Sequence, residues 1–372
     1  MTKTANNVVA GRVVSLDVMR GVIMLLLAAE SCMVWEALHH LQPVQPFAAV
    51  VQQFFHHPWH GLRFWDLVQP SFMFMAGAAL YISYSRKIAK GETWAGNWNH
   101  ILLRSLKLFI CGTALHCVYA GKPVWELWNV LTQLSLTTLI AYLIINKGYA
   151  WQLIFTMGLL ALTALLYCFV LMPGFDQPYV ESHNFGAYFD TLVMGKINGD
   201  GWVTINFIPT ATHTIWGVLA GKLLISNRTS AYKIKTLVIT GVVALVIGFG
   251  LDATGFMPII KRISTVSFVF ASGGWVLLML ALTYWLVDVK QNIKYAWLFT
   301  VMGMNAIFIY LFFETLGMQW LNGVVGIFTG QMLHTFLGVP LHIAALVSAL
   351  VTLFAEWSLC YWLYKNKLFF KL

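Results

Sequence analysis

Residues 150–172 read AWQLIFTMGLLALTALLYCFVLM and contain no charged side chain. About 20 consecutive apolar residues wound as a helix match the hydrocarbon thickness of a bilayer, so this stretch predicts a membrane-spanning helix. Working outward from it, nine further apolar runs follow the same rule: 13–36, 64–85, 101–119, 127–146, 205–225, 235–252, 266–288, 296–317 and 341–364. The expected fold is all-α, a polytopic membrane helix bundle of about ten transmembrane helices, with residues 1–372 as one domain. No internal repeat, low-complexity tract or second soluble domain interrupts the pattern.

Composition agrees with that reading. Hydrophobic residues make up 59% of the 372 positions and charged ones 10%, and the mean hydropathy is +0.73. A soluble body of this size needs more polar surface. The net charge of +9 is spread thinly among apolar segments, which argues against nucleic acid as a partner. The five cysteines, Cys32, Cys111, Cys117, Cys168 and Cys360, form no CxxC pair and read as small packing residues. The polar first dozen residues precede a long apolar run without a small-residue cleavage site, so no removable signal peptide is expected.

Charge sets the expected orientation. The side shared by both termini carries Lys3, Arg12, Arg86, Lys87, Lys90, Lys147, Arg228, Lys233, Lys235, Lys290, Lys294, Lys365, Lys367 and Lys371. The opposite loops hold Arg63, Lys122, Lys196, Lys261 and Arg262 with most of the loop acids. Both termini are therefore expected in the cytoplasm. Long connections at 37–63, 173–204 and 318–340 then lie on the outer face, with the Gly-rich 320–338 either an eleventh, re-entrant element or, the reading kept here, a loop containing a short helix.

Ionisable groups inside spans are functional candidates by default. Asp17 and Arg20 stand three apart on one face of the first span, either as a structural ion pair or as part of a site for an anionic ligand. Glu30 lies deeper on the same span, and Glu314 and Glu356 lie in other spans; each is either a binding group or a hydrogen-bonded neutral acid. The densest chemistry is Phe54-Phe55-His56-His57-Pro58-Trp59-His60-Gly61, followed by Arg63 and Asp66. Three histidines and a carboxylate supply a base and an orienting group at neutral pH. A metal site is the competing reading, weakened because HHxxH does not place its ligands on one helical face. Interfacial histidines beside a Trp belt are the third. Polar clusters at Asn129, Thr132 and Gln133, at Asn206 to His213, and at Lys261 to Ser267, with Asn305 and Glu314, outline a cavity reaching inward from the outer face, although each is equally a helix cap or packing residue.

In order along the chain, SLDVMRG, HHPWHGLRFWDLVQPSFMFMAG, PIIKRISTVSFV and GMNAIFIYLFFETL resemble the landmarks of the heparan-α-glucosaminide N-acetyltransferase family and its bacterial relatives, a branch of the transmembrane acyltransferases. The additional N-terminal luminal domain and span of the animal members have no counterpart in this sequence. The resemblance implies an acetyl-CoA-dependent transfer of an acetyl group, from cytoplasmic acetyl-CoA as co-substrate, to a glucosamine-type amino sugar on the outer or periplasmic side. It places the protein in the bacterial inner membrane, with the lipid bilayer and the amino-sugar acceptor as partners, a homodimer as an option, and no metal.

The family histidine that precedes the Trp of H-x-x-W-N-G by three residues corresponds to His56, with His60 replacing the Asn and His57 as an extra histidine. Asp66 matches the Asp of the next run. Lys261 and Ser267 match a later run whose Asn is missing here, and Asn129 to Gln133 stand where relatives carry an arginine-containing motif. His56 is thus implied as base or acetyl carrier and Asp66 as its orienter. His57, Trp59, His60, Asn129, Gln133, Lys261, Ser267, Asn305 and Glu314 are expected around the acceptor. Arg20, Arg104 and Lys107, with Asp17, are expected near the CoA phosphates. A transporter of amino sugars is the alternative; it would ask for Gly/Pro-broken helices in corresponding positions of two halves, and the sequence presents no such pair.

Overall fold

The computed structural model describes residues 13–370 and is helical throughout, with isolated β-bridges and no strand among the described residues. Lys3, Arg12 and Lys371, which contribute to the charge bias, lie outside the described residues. All ten apolar runs are helical. They form α1 (Val14–Ser31), α3 (Val68–Ala89), α4 (Trp98–Ala120), α5 (Val130–Leu143), α6 (Tyr149–Phe169), α8 (Phe207–Leu224), α9 (Ser230–Ala253), α10 (Val266–Tyr284), α11 with α12 (Ala296–Met304, Ala306–Phe312) and α13 (Leu341–Lys365). Between them, α2 (Val34–His40) follows α1 and α7 (Phe185–Met194) lies in the long connection after α6.

Length and apolarity narrow the expected ten. Five helices, α4, α6, α9, α10 with its extension to Val289, and α13, are long and apolar enough to cross a membrane, and up to seven are if two bent pairs each count as one span. The shortfall has a physical origin. At 1.5 Å per residue α5 covers only about 21 Å, less than a bilayer core of about 30 Å. Helix α8 sits at the centre of the bundle with most of its length buried, including Thr210, Thr212, His213 and Thr214. A helix shielded by neighbours need not be apolar, because its polar groups bond inside: Thr214 Oγ1 donates to Thr137 Oγ1 at 3.1 Å, and His213 Nε2 meets Ser272 Oγ at 3.0 Å.

Close packing joins α8 to α3. A Cβ on Gly217 would come within 1.9 Å of the Phe74 carbonyl oxygen, and one on Gly77 within 1.8 Å of that of Thr214. The two backbones therefore touch, as small residues permit. Around this pair, Leu16, Met19 and Ile23 of α1 pack with Phe74, Trp216 and Leu280. Helices α4, α6, α9 and α13 leave most of their apolar windows uncovered, with Trp151, Ile154, Val246 and Phe354 pointing outward.

Two expectations near the C-terminus change. The run 296–317 is not one straight helix: Ala296–Met304 and Ala306–Leu337 meet at 76° at Asn305. The Asn305 side chain bonds both ways to the chain's end, donating from Nδ2 to the Leu368 carbonyl at 3.0 Å and accepting from the Phe370 N–H at 2.9 Å. The stretch 320–338, expected as a loop, is helical to Leu337, with π-helical turns at Phe313–Leu321 and Ile327–Gln331. Its glycines favour loops by propensity, but Gly326 and Gly330 face Ser348 of α13 at close range, and packing overrides propensity. The second bent pair, α1 with α2 at 56°, turns at Cys32 and Met33. Neither bend falls on Gly or Pro.

Candidate active site

The histidine-rich segment is held by its main chain. His60 forms an isolated antiparallel bridge with Ile260, and the Gly61 N–H donates to the Ile259 carbonyl at 2.8 Å. This pins residues 56–63 against the connection between α9 and α10. Gly61 has φ +140°, and a Cβ there would strike the His57 ring at 2.5 Å, so only glycine fits the turn. The Trp59 indole donates to the Tyr179 carbonyl at 2.8 Å and packs against Tyr167, Val203, Ile260 and Ile263, docking the 173–204 connection onto the segment.

Asp66 ties this segment to the start of α3. Its Oδ2 accepts the main-chain N–H of Arg63 at 2.9 Å and of His57 at 3.3 Å, closing the 3-10 turn Phe64–Leu67. Its Oδ1 lies 3.0 Å from His56 Nδ1. Lys261, from the α9–α10 connection, brings Nζ to 3.0 Å from the same Nδ1 and 3.5 Å from Asp66 Oδ1. The Asp66 side chain is 1% exposed and that of His56 39%, its open surface facing a cavity. With Nδ1–H donating to Asp66, Nε2 keeps its lone pair and has no protein partner among the described residues. With Lys261 donating to Nδ1 instead, Nε2 carries the proton. The triangle can therefore hold His56 in either tautomer.

Burial, and then the Lys261 charge, lower the His56 pKa below its ordinary 6.5 against the pull of Asp66, so the ring is neutral at pH 7. Burial lowers Lys261 to about 8, with Asp66 and Glu30 opposing. Lys261 stands over the Trp202 ring, 5.3 Å from its centroid, and Trp202 meets the His56 ring edge-on.

The cavity that His56 faces has a volume of about 330 Å³ and is lined also by Lys261, Asn129, Glu314, Glu30 and Trp202. Gln133 stands one layer behind, accepting from the lining Gln69 at 2.6 Å. Five expected residues fall elsewhere. His57 packs on Gly61, Trp59 docks a loop, and His60 points to Asp252 at 2.7 Å. Ser267 donates to the Pro258 carbonyl at 2.7 Å, and Asn305 holds the C-terminal segment. The three histidines diverge, and among the described residues no three His, Cys, Asp or Glu side chains form a metal-ligand group. The five cysteines are unpaired with one another.

Asp17, Arg20, Arg104 and Lys107 belong to the other end of the bundle. Arg20 lies 3.8 Å from Asp17, Arg104 feels the charge of Arg20, and Lys107 is exposed on α4. From Arg20 to Glu30 along α1 is ten residues, about 15 Å of helix.

Several groups in and around the cavity escaped the sequence reading. His116, which lines it, bonds through Nδ1 to Glu126 at 2.8 Å, and Lys196 bonds to the other oxygen of Glu126 at 2.6 Å. Burial raises the Glu126 pKa, but these two partners outweigh it and hold the carboxyl low. Trp202 closes the turn-forming Asn198-Gly199-Asp200-Gly201, which was the available signal. His116 lies inside the apolar run 101–119, so its signal was that of any ionisable group within a span.

A sequence model of a family described as heparan-alpha-glucosaminide N-acetyltransferase, catalytic, matches residues 12–252. A Mus musculus protein named heparan-alpha-glucosaminide N-acetyltransferase is 23% identical over 328 residues, covering 71% of this chain and 49% of that protein. The chain thus spans about half the length of the curated relative it matches. The matched family segment holds His56 and Asp66 and ends before Lys261.

Proposed function

Because the chain belongs to the heparan-alpha-glucosaminide N-acetyltransferase family, we propose that it is a membrane acetyltransferase that moves the acetyl group of acetyl-CoA to the amine of a glucosamine-type sugar. The single observation that carries this reading is the His56–Asp66–Lys261 triangle opening on a cavity. Neutral His56 takes a proton from the sugar ammonium at Nε2. The amine nitrogen bonds to the acetyl carbon, the carbon–sulfur bond breaks, and the CoA thiolate leaves with the second nitrogen proton. In the two-step variant Nε2 itself attacks the thioester and carries the acetyl group as acetyl-imidazole before the amine arrives. Both routes react at the same atom, with Asp66 fixing Nδ1–H and the Lys261 ammonium stabilising the oxygen as it becomes negative.

The donor enters from the cytoplasmic end, where both termini also lie, and the acceptor from the outer side of a bacterial inner membrane. Arg20 and Arg104 are the cations suited to the CoA phosphates, with Lys107 exposed nearby. The roughly 15 Å of α1 between Arg20 and Glu30 is a span that a chain-like donor arm can cross. The two bent pairs are the first and ninth of the ten runs, which are not corresponding positions of two halves, so the transporter reading gains nothing from them.

The test is transfer of label from radioactive acetyl-CoA to glucosamine by the purified protein in detergent. His56→Ala is expected to lower turnover by about 10³-fold while still binding acetyl-CoA. Wild-type protein that binds acetyl-CoA but labels no amino sugar would remove the acceptor from the proposal. Failure to bind acetyl-CoA would remove the reaction.

A further inference from the structure

Resting on the acetyl-transfer reaction, we propose that Glu30 and Glu314 form the subsite that binds the acceptor's ammonium and selects an amine over a hydroxyl. Both side chains line the cavity that contains His56 and Lys261. Each carboxylate is steadied through one oxygen by an aromatic donor: Trp65 Nε1 donates to Glu30 Oε1 at 2.9 Å, and the Tyr119 hydroxyl donates to Glu314 Oε2. The second oxygen of each, Glu30 Oε2 and Glu314 Oε1, accepts no hydrogen bond from a described residue.

Their surroundings ask for a cation. The two carboxylates come from different helices, fixed to each other because Ser31 Oγ donates to the Phe313 carbonyl at 2.9 Å. They feel each other's charge, an arrangement that is unfavourable unless a proton or a cation lies between them. No lysine or arginine among the described residues pairs with either, and Lys261, which lines the same cavity, is engaged by His56 and Asp66. Aromatic rings of Trp65, Trp128 and Tyr310 complete the lining, and ring faces also favour ammonium groups. Glu314 lies at the start of the π-helical stretch Phe313–Leu321, a departure from α geometry frequent at functional sites. An ammonium bound here donates to both free oxygens at once, whereas a sugar hydroxyl has one proton to give and no charge. The bound ammonium then passes its proton to His56 Nε2, and the proton leaves to water after transfer.

The experiment is equilibrium binding of glucosamine and of glucose to the full chain in detergent, at about pH 7, where an amine of pKa about 8 is still mostly protonated and a proton competes less for the carboxylates. Wild type, Glu30→Gln and Glu314→Gln are compared. Wild type is expected to prefer glucosamine by at least about tenfold, and either glutamine variant to lose most of that preference, since a charge-assisted hydrogen bond contributes on the order of tenfold to a hundredfold. Glucose binding reports that each variant is intact. A preference unchanged in both variants, no preference in wild type, or loss of both sugars by both variants would overturn the assignment. Because no acetyl donor is present, the result stands apart from the acetyltransferase reading, which the labelled-transfer assay judges separately.

Discussion

His56 and His60 stand four residues apart, and each faces a carboxylate at hydrogen-bond distance. The His60–Asp252 contact is the shorter, 2.7 Å against 3.0 Å for His56–Asp66. Distance alone would rank His60 first. Their settings differ in the opposite sense: Asp66 is 1% exposed, with both oxygens engaged by N–H donors or by the triangle, while the side chains of His60 and Asp252 are 56% and 25% exposed. A buried, fully bonded carboxylate can hold an imidazole in one orientation, and a half-solvated one competes with water and salt. His56 opens on a cavity with a buried cation beside it, and His60 does not line that cavity. Burial of the partner and access to a cavity separate a candidate catalytic pair from a surface pair of better geometry.

The largest expected effect that sharpens this contrast is at Asp66. Asp66→Asn keeps the shape but can offer an amide donor to Nδ1, which favours the tautomer with the proton on Nε2 and removes the base. Turnover is expected to fall on the order of 10³-fold, with acetyl-CoA binding within about twofold of wild type. The matching Asp252→Asn should leave turnover within about twofold. Steady-state kinetics of the two variants decide it, and equal losses in both would dissolve the distinction.

A smaller effect is carried by Lys261. Its pKa of about 8 means that the ammonium is lost as pH rises through that value, while His56, lowered from 6.5, loses its base form only as pH falls below that. The pH profile of kcat at saturating glucosamine, where ionisation of the free amine near 8 no longer counts, should therefore be bell-shaped, with an acid limb below 6.5 and an alkaline limb near 8. Lys261→Met is expected to lower turnover on the order of 10²-fold and to abolish the alkaline limb while the acid limb remains. An alkaline limb that survives the substitution would assign it to another group.

Much of this contrast was legible in the sequence, and the reasons for the rest are physical. The ten apolar runs mark helices because apolar length is a local property. The number that meets lipid is not local: α8 carries Thr210, Thr212 and His213 at the bundle centre, and only the neighbours around it show why that is tolerated. His56 and Asp66 are ten positions apart and readable together, but Lys261 reaches His56 from 205 positions away through the bridge of His60 with Ile260. Ser267 and Asn305 looked like site residues because polar groups in apolar runs demand partners. Both satisfy that demand with carbonyls of their own chain, at Pro258 and Leu368. The Gly-rich 320–338 read as a loop because glycine weakens an isolated helix, whereas packing of Gly326 and Gly330 beside Ser348 of α13 supports the helix from outside.

The smallest expected effect is at His60 itself, and it tests the comparison most directly. The structural work of this position is done by its main chain: the bridge to Ile260 and the Gly61 N–H bond to Ile259 need no imidazole. Asp252 keeps a second partner when the ring is removed, since its Oδ1 also accepts the Ile259 N–H at 2.8 Å. His60→Ala should then alter thermal stability by no more than about 1 kcal/mol, the usual worth of an exposed ion pair, and leave turnover within about twofold. A loss of turnover above about tenfold, with stability preserved, would mean that His60 Nε2 reaches the reacting atoms despite its distance from the cavity lining. The site would then have to be redrawn around both histidines.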